Sequence, residues 1–118
     1  MSAQTAGGDV EVANEVRLVG RVSRDPELKV LPSGDSVWTL RVVVPRAPAK
    51  ARAHQSVDAL ECCVWGGRIK RSVAGWRAGD WVAVEGSLRR RFFRSGQGAT
   101  SVVEVEVSSG RLIRRAAT

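Results

Sequence analysis

WVAVEGSLRRRFF, residues 81–93, is the stretch on which the fold turns. Val82, Val84 and Leu88 fall on one parity and Arg89, Arg91 and Phe93 on the other, the period-two pattern of a strand with one buried and one exposed face. The run is long for a strand, and Gly86 in its middle supplies the bend or bulge that a small closed barrel requires.

Upstream, Ile69, Val73 and Trp76 recur at helical spacing, and Gly79 then offers a left-handed stop. Residues 57–65 form an earlier strand ended by Gly66 and Gly67, with Leu60, Cys62 and Val64 inward and Glu61, Cys63 and Trp65 outward. Before it, residues 45–55 carry Arg46, Lys50 and Arg52 with two prolines and no apolar face, which reads as an exposed basic loop. Residues 36–44 alternate Trp38, Leu40, Val42 and Val44 against Val37, Thr39, Arg41 and Val43, and PSGD at 32–35 is a turn by its chemistry. The first strand sets Val16, Leu18 and Val22 against Arg17 and Arg21, and Asp25-Pro26 breaks it. Downstream, Gly96 and Gly98 make a turn into a last strand at 100–107.

Strand, strand, strand, one short helix, strand, strand is the element order of the OB-fold, a five-stranded Greek-key β-barrel used widely on oligonucleotides; a small SH3-like barrel gives a similar string. The expected class is therefore all-β with one short helix. At 118 residues and 43% apolar content the chain has the length and core of one domain. Residues 1–13 are small, acidic and aperiodic and are expected to be a flexible arm; residues 14–113 form the domain and 114–118 a short basic end.

The formal charge is +7 with a pI near 11, and residues 36–100 hold twelve basic side chains against four acidic, so a polyanionic partner is expected. Cys62 and Cys63 are sequence neighbours that point to opposite faces of a strand, which leaves them reduced and unpaired. With one histidine, His54, and no Cys-x-x-Cys spacing, neither a zinc site nor any other cofactor is expected. The N-terminus has no basic-then-apolar layout, and no apolar run approaches the roughly 20 residues of a membrane helix, so a cytoplasmic, nucleoid-associated protein with no membrane contact is expected.

On the outward faces Trp65 joins an interleaved Arg89, Arg91 and Phe93. Unstacked bases lay their faces on aromatic rings while arginine neutralises the phosphates between them, so the pattern suits a single nucleic-acid strand read without regard to sequence. The plain alternative is that Trp65 and Phe93 plug the ends of the barrel. Trp38 and Trp76 sit on apolar parities and read as core, and Trp81 is outward with no assigned role. Arg46, Lys50 and Arg52 are read as a phosphate clamp beside the aromatic groove rather than as a merely solvated loop. A Ser or Cys nucleophile beside a base, paired carboxylates and a phosphate-cradling glycine loop are all missing from the sequence, so no enzymatic activity is expected.

NEVRLVGRV at 14–22, DPEL at 25–28, PSG at 32–34, VWG at 64–66 and VEGSL at 84–88 resemble, in family order, the bacterial single-stranded DNA-binding proteins. The resemblance implies an OB-fold, homotetramer assembly and single-stranded DNA wrapped over basic and aromatic grooves in replication, recombination or repair. It matches Trp65 and Phe93 to stacking aromatics and Arg89 and Arg91 to phosphate-binding residues, with Thr39 and Arg41 as secondary contacts on the second strand. The chain departs from the family pattern at Pro48, Ala59 and Glu61, where tryptophans and a basic residue are common, which implies weaker or narrower binding. Family members often continue into a disordered tail with an acidic, phenylalanine-tipped end that recruits repair enzymes. This sequence stops at RRAAT, residues 114–118, so that recruitment is expected to be missing, as in a short paralogue. RNA or primosome-accessory binding on the same fold, and a protein-protein interaction module, are the competing readings.

Overall fold

A computed structural model describes residues 4–5, 8–47 and 56–117. The elements, in chain order, are β1 (Gln4–Thr5), β2 (Glu11–Val12), β3 (Val16–Val22), β4 (Glu27–Val30), β5 (Ser36–Pro45), β6 (Val57–Val64), α1 (Ile69–Ala74), β7 (Trp81–Ser95) and β8 (Gly98–Arg114). The strands run β3-β7-β8-β6-β5-β4, and a further pairing of β3 with β5 closes five of them into a ring. This is the expected five-stranded OB-fold architecture. Two of its seams are short: β3 meets β5 through Arg21↔Val43 and Val22↔Val42, and β6 meets β8 in parallel through Cys62↔Val105 and Cys63↔Glu106.

The alternation reads as burial over most of the ring, but Leu88, on the buried parity of β7, is 48% exposed because the strand has left the ring there, and Val37, on the outward parity of β5, is buried. Val22, Leu40, Val42, Cys62, Val64, Val82, Val84, Val105 and Val107 point into the ring, while Ile69, Val73 and Trp76 bring α1 and the turn behind it onto the same cluster. Trp38 is partly buried against that cluster, as its parity predicts. Each fully buried Val or Leu contributes roughly 1.5–3 kcal/mol, so the ring interior is the main source of stability. Gly20 lies where β3 crosses β5; a Cβ there would meet the Val43 carbonyl and lie 2.9 Å from Val42 Cγ1, so no side chain fits.

Several elements differ from the sequence reading. Within the expected N-terminal arm, Gln4–Thr5 pairs with Glu11–Val12 in a separate two-stranded sheet. The extra strand β4 hairpins onto β5, and all four of its side chains are exposed, so no alternation marks it. The helix is only six residues long and ends at Gly75 in right-handed geometry; Gly79, at φ +90°, serves instead the turn that leads into β7. Strand β8 runs seven residues beyond the expected end at Val107, to Arg114. Cys63, expected outward, is 3% exposed, with Glu104 and Trp65 near its thiol.

The hairpin of β7 and β8 outgrows the ring. Gly86 marks the transition: a Cβ on it would run into the Glu106 carbonyl and stand 3.0 Å from Val107 Cα. The register slips between Glu85 and Gly86, with the extra residue on β8, so the bulge that Gly86 accommodates belongs to its partner strand. Asn14 completes the crossing, its Nδ2 donating to the Leu88 carbonyl and its Oδ1 accepting from the Leu88 N–H, both at 2.8 Å. Among the described residues no helix is long and apolar enough to cross a membrane.

Candidate nucleic-acid interface

Trp65 follows the last residue of β6, and its ring, 40% exposed, stands in a groove of about 740 Å³. Arg17 from β3, Glu85, Ser87 and Arg89 from β7, and Glu106 from β8 line the same groove. Burial, then the charge of Glu104, push the Cys63 thiol up to about 12, while the Trp65 indole N–H opposes that shift from the other side. The thiol therefore stays neutral at ordinary pH. Cys62, on the inward face, is likewise driven up to about 12, chiefly by burial. Both cysteines are free thiols, as expected.

Along β7 the outward parity continues from Arg89 through Arg91 to Phe93, about 13 Å of strand. Phe93 is 39% exposed, and the Arg91 guanidinium carbon lies 5.5 Å from its ring centroid. The aromatic and basic groups therefore form one line from the groove up the hairpin arm, and neither ring fills the ring interior. On β5, Thr39 stands opposite Cys63 and Arg41 opposite Glu61, which places both beside this line on the outer face.

The arginines assigned to phosphate are not free. Arg89 meets Glu106 at 2.8 Å, Arg91 meets Glu104 at 3.2 Å and Arg41 meets Glu61 at 2.6 Å. Arg46 grips Asp58 through Nε and Nη2, the latter at 2.7 Å, and those hydrogen bonds hold Asp58 below its ordinary value. Lys50 and Arg52, the remainder of the expected clamp, lie outside the described residues. Sequence reading missed the acidic half of this surface. The alternation of Glu104 and Glu106 with valines was visible, and pairing 100–107 with 87–93 across the Gly96–Gly98 turn would have set those carboxylates against Arg89 and Arg91.

A closed five-stranded ring carrying an aromatic, arginine-lined groove on its outer face is the architecture of an OB-fold protein. The chain belongs to the Single-strand binding protein family, whose profile matches residues 13–113. It is 32% identical over 107 residues to single-stranded DNA-binding protein 1 of Streptococcus agalactiae, covering 89% of this chain and 65% of that protein. Single-stranded DNA-binding protein A of Bacillus subtilis is 31% identical over 97 residues, 81% of this chain and 56% of its own length. The chain thus spans little more than half the length of several such relatives. Among solved structures it is similar to the Plasmodium falciparum SSB complex with ssDNA, with a TM-score of 0.70 and 25% identity, covering 90% of this chain and 97% of that one.

Proposed function

We propose that the chain binds single-stranded DNA without sequence preference, protecting it during replication, recombination or repair, and catalyses no reaction on it. The observation that carries this reading is the line of two half-exposed rings, Trp65 and Phe93, interleaved with Arg89 and Arg91 on one outward face. Bases stack on the rings and phosphates take the guanidinium groups, an arrangement closed to duplex DNA because its bases are already stacked. Family membership supports the same reading. The protein works as a homo-oligomer in the cytoplasm, at the nucleoid. The other side of the hairpin arm, where Leu88, Phe92 and Val103 are exposed and Phe92 is 72% so, is the surface we assign to contact between copies.

The test is tryptophan fluorescence during titration with oligo-dT at low and high salt, with duplex DNA and oligo-U as competitors. Quenching that weakens with salt and resists duplex is expected. Trp65→Ala with Phe93→Ala should cost about 1–3 kcal/mol per ring without unfolding the domain. Normal affinity in a folded double variant would overturn the assignment.

A further inference from the structure

Arg41, Arg89 and Arg91 are each held by a glutamate, but the three glutamates differ in what becomes of them on release. Glu61 and Glu106, the partners of Arg41 and Arg89, have side chains 46% and 34% exposed, whereas Glu104, the partner of Arg91, is 11% exposed. The Cys63 thiol also hydrogen-bonds the Glu104 carboxylate. Both pairs on the hairpin arm are diagonal. Arg89 stands opposite Glu104 on β8 but reaches Glu106, and Arg91 stands opposite Val102 and reaches back to Glu104.

An exposed ion pair contributes little, so a carboxylate that can turn to water gives up its arginine at small cost. A covered carboxylate stripped of its cation carries a large desolvation penalty instead. The Arg89–Glu106 contact is the shorter, 2.8 Å against 3.2 Å for Arg91–Glu104, yet the fate of the freed carboxylate outweighs that difference. A phosphate thus gains a free guanidinium at Arg89, and at Arg91 it meets a carboxylate that stays in place. Arg91 has another neighbour: its guanidinium carbon lies 5.5 Å from the centroid of the Phe93 ring, within cation–π range. Phe93 rides on the arm beyond the ring, with only Thr100 across from it on β8.

We propose that the two arginines of the arm divide the work: Arg89 releases Glu106 and takes phosphate, whereas Arg91 keeps Glu104 and is a positioning residue that holds the Phe93 ring for a base. Glu104 is the second positioning residue, acting through Arg91. This division rests on the reading of the groove and arm given above and names which guanidinium meets the strand and which serves the ring.

The experiment removes each ion pair whole, so that net charge stays constant. Arg91→Gln/Glu104→Gln and Arg89→Gln/Glu106→Gln are each made in the full chain and again with Phe93→Ala, and are titrated with oligo-dT from low to high salt. Loss of the Arg89 pair should flatten the slope of log K against log salt by about 0.7, the value of one phosphate contact on a single strand. Loss of the Arg91 pair should leave the slope unchanged and lower affinity several-fold. That loss should disappear when Phe93 is already alanine, because the pair acts through the ring, while the Arg89 effect should persist there. Arg91→Lys keeps the charge beside Glu104 but lacks the flat guanidinium, and as a milder change it guards against a double variant that does not fold; it too should weaken binding several-fold. Any of four results would overturn the proposal: a slope flattened by about 0.7 or an unchanged affinity on loss of the Arg91 pair, an undiminished loss in the Phe93→Ala background, full affinity in Arg91→Lys, or an unflattened slope on loss of the Arg89 pair. Failure of the unsubstituted chain to bind oligo-dT would remove the groove reading itself, and this one with it.

Discussion

Glu104 is largely covered between Cys63 and Arg91, and together with Glu61 and Glu106 it decides how available the groove's arginines are. A phosphate reaching Arg89 or Arg91 must displace a carboxylate that already fills the guanidinium, so part of each new contact is offset by one lost. Replacing Glu61, Glu104 and Glu106 together by Gln should raise affinity for oligo-dT several-fold and steepen its salt dependence, since freed arginines release more counterions on binding. Unchanged affinity in an isothermal titration would show that the pairs do not compete with DNA. The outward Trp65, Arg89, Arg91 and Phe93 were legible from parity alone. Their carboxylate partners were not, because parity assigns a face and says nothing about which residue of another strand stands opposite. Burial of Cys63 escaped for the same reason: among the groups beside its thiol is Glu104 on β8, forty-one positions away.

Alternation found β3, β5, β6 and β7 because each buries one face against the core. It missed β4, whose side chains are all exposed and whose place is set by backbone pairing with β5. It placed a glycine bend correctly at Gly86 but on the wrong strand, since a bulge is a difference between two registers and cannot be seen in one. That glycine is where the hairpin arm leaves the ring, and a methyl group there meets backbone atoms of Glu106 that cannot swing aside. Gly86→Ala should therefore destabilise the domain by about 1–3 kcal/mol in urea unfolding. It should also lower oligo-dT affinity, because Arg89, Arg91 and Phe93 ride on the arm above it. Full stability in the variant would mean that the crossing can relax.

At the scale of the whole molecule, the charge count along the sequence concealed a surface. Arg17 and Arg21 lie in a net acidic third of the chain and Arg111 and Arg114 near its end, and only the pairing of both β3 and β8 with β7 brings them together. The turn before β7 is tied to the chain just beyond β8 by Asp80, 1% exposed, which accepts from the backbone N–H groups of Arg77 and Ala116 and from Arg115, all at 2.8–2.9 Å. Burial works to raise its pKa, but these donors outweigh it and leave the carboxyl below its ordinary value. A depressed folded pKa stabilises the native state above the unfolded value of about 3.9, and that contribution is lost as pH falls through the folded one. Asp80→Asn should cost about 1–3 kcal/mol at neutral pH and reduce the loss of stability on acidification. Thermal melts across pH would show it, and identical acid profiles for the two proteins would refute it.

The short seams of the ring have a mechanical meaning. The β3–β5 and β6–β8 junctions, each two residue pairs long, divide the barrel into two curved halves, one of β4, β5 and β6 and one of β3, β7 and β8. Breathing of the native state is easiest where the fewest backbone bonds must break, so the halves part along these lines before either half melts. Trp65 belongs to one half and Arg89 to the other. Any chain laid from that indole to that guanidinium is a suture across the weaker joint, and the barrel it closes is harder to open than the empty one.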